Sequence, residues 1–267
     1  MDTHISSYAT ESAMSGFRLD GRTALITGGR RGIGRAIAVA MAEQGAAIAL
    51  HHGGSEEEWH DVDAAVDQIS RLGRRVAAYS ADFGKRHAGR RLAERVATDF
   101  GHVDILVLNA SIEHLEPLET ISCTSFHRQM AVNLKAPLEL MQAIVPAMAA
   151  AGWGRVLGIG STQQARPSPT KHVYAATKAA QHSWMMNLAR EFGARGVTAN
   201  TLAPGVIVTG RNLAQVARDG EALVRGIPAA RLGRPGDLVG AALLLCSEAG
   251  SYITGANLFV DGGRTIA

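Results

Sequence analysis

Short aliphatic runs recur along the chain, and each is followed by a stretch with the apolar period of a helix. TALIT (23–27) precedes a helical pattern from Gly32 to Gln44, and AAIAL (46–50) precedes one from Glu56 to Leu72. RVAAYS (75–80) leads into Arg86–Phe100, and VDILVLNA (103–110) into a longer helical region from about Ser122 to Ala150. GRVLGIGS (154–161) precedes a helix from about Thr170 to Phe192, VTANTLA (197–203) a more irregular segment, and ANLFVDGG (256–263) ends the series. Runs that are apolar at every position, rather than at alternate ones, mark strands buried on both faces. Alternating βα units of this length predict an α/β fold, a doubly wound parallel sheet of about seven strands with helices on both faces. No linker or low-complexity stretch interrupts residues 18–267, which are expected to form one domain. The polar residues 1–17, MDTHISSYATESAMSGF, contain no apolar targeting core and are expected to be a flexible tail.

Composition narrows the function classes. Hydrophobic residues make up 46% of the 267 positions and aromatics 5%, which suits an aliphatic core. The formal charge of +3 is carried mainly by arginine, most densely from Arg71 to Arg95. Asp82, Glu94 and Asp99 break up that stretch and no aromatic stacking platform accompanies it, so it reads as solvated helix surface rather than a nucleic-acid interface. Cys123 and Cys246 lie far apart without metal-ligand spacing, which fits a reducing, cytoplasmic setting and predicts no metal site. Apolar stretches such as Ala241–Cys246 are far too short to span a membrane, so no membrane partner is expected.

In doubly wound sheets ligands bind beyond the carboxyl ends of the strands. After the first run comes TGGRRGIGRAI, with Gly28, Gly32 and Gly34 around Arg30, Arg31 and Ile33. Glycines there allow a tight turn, close approach of a pyrophosphate, and a helix start whose amides face the anion. The spacing is neither G-x-G-x-x-G, since Ile37 stands at the third position, nor a P-loop, since no G-K-[ST] follows. Further on, HVYAATKAA places Tyr174 and Lys178 four apart, on one helix face. Taken alone, that pair better suits an amphipathic helix with a snorkelling lysine and a half-buried tyrosine.

The T-G-x-x-x-G-x-G spacing resembles the nucleotide-binding signature of the short-chain dehydrogenase/reductase family, and the resemblance continues from about Arg18 to Gly263. Leu108–Ala110 resembles its N-N-A-G element, Asn133 its helix asparagine, and Ser161 stands thirteen residues before Tyr174, the family interval. LAPGVIVT (202–209), RLGRPGD (231–237) and FVDGG (259–263) resemble the later motifs, and the overall motif order is most similar to the 3-oxoacyl-carrier-protein reductases. The resemblance implies a Rossmann fold and hydride transfer between a nicotinamide cofactor and a carbonyl or secondary alcohol. It assigns catalysis to Asn133, Ser161, Tyr174 and Lys178. Tyr174 would protonate the developing alkoxide and Ser161 would hydrogen-bond the substrate oxygen. Asn133 would hold a water linking Lys178 to solvent. Lys178 would also bind the nicotinamide ribose. Its charge about 4 Å from the phenol, at an effective dielectric near 20, favours phenolate by up to about 4 kcal/mol, on the order of three pKa units.

The same resemblance places cofactor contacts at Gly28, Arg30, Arg31, Gly32, Ile33, Gly34, His52, Ser55, Asp82, Phe83, Asn109, Ala110, Ser111, Pro204, Gly205, Ile207 and Thr209, besides Tyr174 and Lys178. His52 stands where an NAD enzyme carries an acid for the ribose 2′-hydroxyl. Glu56, Glu57 and Glu58 follow, but SEEE reads as a capping box of Ser55 with Glu58. Arg31 is placed to pair with a 2′-phosphate, with Ser55 as a hydroxyl donor, so NADP(H) is favoured over NAD(H). Asp82 would meet the adenine or, alternatively, cap the next helix.

Two features depart from the pattern. Ser111 replaces the last glycine of N-N-A-G, and with LHH and the paired arginines this is similar to the pteridine reductases, although Ser161 stands where those carry aspartate. A carrier-docking basic patch is nearly missing, with Arg155 alone in AMAAAGWGR. Substrate contacts are expected from Gln163, Gln164 and Arg211, the last in an irregular, lid-like segment from Gly210 to Pro228. The reading is an NADP-dependent oxidoreductase acting on CH–OH or C=O groups of a small molecule. The alternatives are a pteridine reductase-like enzyme and a catalytically silent NADP-binding regulator. Family members of this size imply a homotetramer.

Overall fold

The computed structural model describes residues 14–267. Seven parallel strands form one sheet in the order β3-β2-β1-β4-β5-β6-β7. They are β1 (Thr23–Ile26), β2 (Ala47–His52), β3 (Val76–Ser80), β4 (Ile105–Leu108), β5 (Gly154–Ile159), β6 (Val197–Pro204) and β7 (Asn257–Val260). Every residue of β1, β4, β5 and β6 is buried, including Arg155 in β5 and Thr198, Asn200 and Thr201 in β6 among otherwise mostly apolar positions. Ala24 pairs with Ile48 on one side and Ile105 on the other, so the strand order reverses at β1 and opens a crevice beyond its carboxyl end.

Helices cover both faces. Leu92, Val96, Leu140 and Ile144, from α3 (Ala88–Phe100) and α5 (Ala136–Ala150), pack one cluster with Leu25 and Leu106. Ile37, Met41 and Leu245, from α1 (Gly32–Glu43) and α8 (Val239–Cys246), pack the other with Ile26, Ile48 and Leu157. Among the described residues no helix is long and apolar enough to cross a membrane, and no group of three or more His, Cys, Asp and Glu could hold a metal ion.

Three elements differ from the sequence expectation. The helix after β2 begins with a 3-10 turn at Glu56–Glu58, and α2 proper runs Trp59–Ser70. The long helical region is α4 (Cys123–Met130), a π turn at Ala131–Lys135, and α5. The segment expected to be irregular contains a 13-residue helix, α7 (Leu213–Arg225), with no buried residue. Leu213, Val216, Ala217, Leu223 and Val224 in fact recur at helical spacing, with Gly220 on the same face. The tail expected over residues 1–17 lies, through residue 13, outside the described residues, and Ser15–Phe17 form a 3-10 turn.

Candidate active site

The glycine loop is held by a knot of hydrogen bonds between the ends of β1 and β4. The Thr27 hydroxyl donates to the Val107 carbonyl at 3.1 Å and accepts the Asn109 and Ala110 amides at 2.9 and 3.0 Å. The Asn109 amide group donates to the Thr27 and Gly28 carbonyls at 2.9 and 3.0 Å. Gly28 and Gly32 have φ of +65° and +57°, which side-chain-bearing residues rarely adopt. A Cβ on Gly34 would stand 2.4 Å from the Gly28 carbonyl oxygen, so the helix start can approach the loop only with glycine there. Thr209 closes the far wall, its methyl 3.2 Å from a Cβ built on Gly32.

His51, which the sequence reading did not single out, pins this loop to its neighbours. Its Nδ1 accepts the Gly28 amide at 3.1 Å, and its Nε2 hydrogen-bonds the Ala81 carbonyl at 2.9 Å, which requires the neutral Nε2–H tautomer. The ring stacks on Phe83 with centroids 4.0 Å apart. Burial pushes its pKa down to about 4, against the Ala81 bond. The only sequence sign was a polar residue inside an otherwise aliphatic strand.

Tyr174 and Lys178 share one face of α6 (His172–Phe192) and are both buried, at 8% and 1% exposure. The lysine Nζ lies 5.7 Å from the Tyr174 ring centroid and donates to the Ile159 carbonyl at 2.7 Å and to Gln181 Oε1 at 3.1 Å. The Ser161 and Ser111 hydroxyls act on Tyr174, both lowering its pKa. Ser161 caps the turn after β5, accepting the Gln163 amide at 3.2 Å. Asn133, in the π turn, accepts the Ile112 amide at 2.9 Å and donates to the Ile112 carbonyl at 2.9 Å and the Thr177 hydroxyl at 3.2 Å. Its side chain thus ties the loop after β4 to α6. π turns often mark functional positions in helices.

Burial dominates the electrostatics of the pair. It raises the Tyr174 pKa above the ordinary phenol value; Arg211 opposes that rise, Glu113 adds to it, and the Ser161 and Ser111 hydroxyls oppose it. Burial first, and then Arg211, lower the Lys178 pKa to about 7 against the pull of Glu113. The ammonium is thus desolvated, the condition that reduces its pull on the phenol below the ceiling of about 4 kcal/mol.

The expected substrate residues divide. Gln164 is committed to structure, accepting the Ser161 amide at 3.2 Å and donating to the Lys178 carbonyl at 3.1 Å. Gln163 keeps a buried Oε1 without a hydrogen-bond partner. Arg211 reaches from the segment before α7 to Ser111, donating to its hydroxyl at 3.3 Å and its carbonyl at 2.5 Å. Glu113 pairs with Lys171 at 2.5 Å. Neither of these two was anticipated from the sequence.

At the end of β2 the capping-box expectation fails. The Ser55 side chain makes no capping bond. Glu58 instead accepts the Gly54 amide at 2.9 Å and pairs with Arg30 at 3.1 Å. Arg30 also pairs with Asp61. The glutamate is drawn inward because the guanidinium and the amide are better partners than a solvated serine. His52 is 2% exposed, and neither ring nitrogen has a hydrogen-bond partner. Glu58 stands 3.5 Å away, and burial lowers the His52 pKa despite it. Arg31 is exposed and has no ion pair among the described residues. Asp82 accepts the Gly84 amide at 2.9 Å and pairs with Arg128 at 2.8 Å; α3 starts later, at Ala88, so Asp82 does not cap it. Pro204 ends β6, and Ile207 bridges to Gly233 in the loop beyond it.

A dinucleotide suits this crevice. The glycine cradle would be filled by any Cβ at Gly34, an unpartnered buried imidazole stands at the end of β2, and an unpaired arginine flanks both. The family model described as enoyl-(acyl carrier protein) reductase matches residues 28–265. The chain belongs to the short-chain dehydrogenase/reductase family of oxidoreductases. It is 36% identical over 254 residues to D-threitol dehydrogenase of Mycolicibacterium smegmatis, covering 94% of this chain and 95% of that one. Among solved structures, a 3-oxoacyl (acyl-carrier-protein) reductase from Agrobacterium tumefaciens with NADP bound superposes with a TM-score of 0.88 at 39% identity, covering 97% and 99% of the two chains. A gluconate 5-dehydrogenase from Burkholderia cenocepacia in complex with NADP and tartrate gives 0.88 at 35% identity, covering 96% and 99%.

Proposed function

We propose that this short-chain dehydrogenase/reductase transfers hydride between NADP(H) and a secondary alcohol or ketone on a short polyhydroxylated chain, using Asn133, Ser161, Tyr174 and Lys178. The observation that carries the reading is the buried Tyr174, whose pKa Ser161 lowers, with Lys178 one helical turn on and equally buried. Gly28, Arg30, Arg31, Gly32, Ile33, Gly34, His52, Ser55, Asp82, Phe83, Asn109, Ala110, Ser111, Pro204, Gly205, Ile207 and Thr209 are the residues proposed to meet the cofactor. Bound nicotinamide supplies or accepts the hydride. Tyr174 Oη gives its proton to the carbonyl oxygen in reduction and takes it back in oxidation. Ser161 orients that oxygen and stabilises its charge. Lys178 holds the cofactor ribose and adds positive charge beside the tyrosine, while Asn133 fixes the loop after β4 against α6.

The preference for NADP(H) is supported by Arg31, which has no counter-ion among the described residues, and by the unpartnered His52 nitrogens. Glu58 is already neutralised by Arg30. The polyhydroxylated substrate class is supported by the polar rim of Ser111, Glu113, Gln163, Lys171 and Arg211, and by relatives named for threitol and gluconate. Residues 18–267 are read as one catalytic domain of a cytoplasmic homotetramer. Exposed Phe126 and Leu138 on α4 and α5, and Leu258 and Ile266 near the C-terminus, supply apolar surface for assembly. A panel of polyols, hydroxy acids and ketones, followed by NADPH and NADH absorbance, tests the reading. Turnover confined to NADP(H) and abolished in Tyr174→Phe is expected; unaltered turnover in that variant contradicts it.

A further inference from the structure

The helix running into the site carries a consequence of its own sequence. AVNLKAP places Pro137 four residues after Asn133, and proline has no N–H. The Asn133 carbonyl therefore lacks its α-helical donor, and the chain relaxes into the π turn at Ala131–Lys135. Because Asn133 is fully buried, that carbonyl needs a donor from elsewhere. Gln181, 2% exposed on α6, supplies it through Nε2, at 2.5 Å. Its Oε1 in turn accepts from the Lys178 ammonium at 3.1 Å. Only one orientation of the amide satisfies both neighbours, since a carbonyl must receive a hydrogen and an ammonium must give one.

The geometry points to Gln181 as a positioning residue that ties the Lys178 ammonium to the Asn133 carbonyl directly, where a bound water was expected. A water can accept a proton on one side and release one on the other. The amide is locked with its acceptor toward the lysine and its donor toward Asn133, so it holds charge in place and passes no proton. The Ile159 carbonyl at 2.7 Å completes the acceptor pair for Lys178. The charged or titratable groups facing the lysine are Tyr174 on its own helix, Glu113 from the loop after β4, and Arg211 from the segment before α7. Glu113 favours the ammonium; Arg211 and burial oppose it. A neutral acceptor favours the charged form, so Gln181 works with Glu113 to keep the lysine protonated.

The inference rests on Lys178 being the working cation of the proposed mechanism, but its test does not require turnover. The chain has four lysines, Lys85, Lys135, Lys171 and Lys178, so lysine labelled with 13C at Cε gives a resolvable set of NMR titrations in the full-length protein. The wild-type Lys178 midpoint is expected at about 7. Gln181→Met keeps the length without a strong acceptor and should lower that midpoint by about one unit. Gln181→Glu keeps an acceptor, adds negative charge and should raise it by about one unit or more. Both variants lose the donor to Asn133, so a purely structural role predicts matched losses of thermal stability and unmoved midpoints. Midpoints within a few tenths of a unit of wild type, or displaced in the same direction in both variants, would overturn the assignment. If Gln181→Met does not fold, an upward midpoint in Gln181→Glu supports it and an unmoved one overturns it. Opposite displacements without hydride transfer to any substrate would leave Gln181's role standing and remove the proposed function.

Discussion

The two ends of the crevice treat their buried polar groups differently. Around Tyr174, the side chains of Asn133, Thr177, Lys178, Gln181 and Gln164 all find partners within the chain, whereas Gln163 Oε1 does not. At the end of β2, neither nitrogen of the buried His52 makes a hydrogen bond, the Glu58 carboxylate standing 3.5 Å from Nδ1, and Arg31 is exposed without an acid. A buried polar atom left unpaired costs about 1–3 kcal/mol. On the proposed reading, the contrast separates a chemical end largely held together by its own side chains from a nucleotide end that a ligand would complete.

Breaking the chemical end should cost stability as well as activity. Asn133→Ala strands the Ile112 amide and carbonyl together and should destabilise the fold by about 3 kcal/mol in urea titrations. Acid tests the joint between the ends. Burial pushes the folded pKa of His51 down to about 4 from the ordinary 6.5, so its contribution is complete above 6.5 and is lost as pH falls from 6.5 toward 4. The loss approaches about 3 kcal/mol below pH 4. Protonated Nδ1 can no longer accept the Gly28 amide, so the glycine loop should show the earliest gain in hydrogen exchange as pH falls. A loop that stays protected at pH 5 while helices elsewhere open would break that link. At the nucleotide end, Arg31→Ala should weaken NADPH binding about tenfold with little change for NADH, because it removes a charge-assisted bond to the 2′-phosphate. The smallest effect is expected from Ser111→Gly. It removes one hydrogen bond that lowers the Tyr174 pKa, so the tyrosine-dependent limb of the pH–rate profile should move upward by less than about one unit.

Much of this could be read from the chain alone, and the limits have physical causes. TALIT, VDILVLNA and GRVLGIGS announced buried parallel strands because each aliphatic run must be covered on both sides. The family resemblance singled out Tyr174, Lys178, Ser161 and Asn133, and the fold gathers those side chains at one end of the sheet. Spacing does not reveal direction. Lys178 Nζ donates to Ile159 and Gln181, partners that its place one turn after Tyr174 could not announce. Glu58 resembled a helix cap because Ser55 stands three residues before it, yet Arg30, far away in sequence, draws it inward. His51 and Gln181 act through contacts that form only when three separate segments meet. The helix α7 was legible from its period, since Leu213, Val216, Ala217, Leu223 and Val224 fall on one helical face, yet Gly210 and Gly220 made the segment read as irregular.

The most direct test of the account measures NADPH affinity and turnover side by side in wild type, Tyr174→Phe and Arg31→Ala. NADPH fluorescence gives the Kd and absorbance gives kcat on the best substrate of the panel. Tyr174→Phe should bind NADPH within about threefold of wild type and lose about a hundredfold or more in kcat. Arg31→Ala should show the reverse, with weakened binding and nearly unchanged kcat. A Tyr174→Phe enzyme that turns over at close to the wild-type rate would contradict the central claim that this hydroxyl moves the proton.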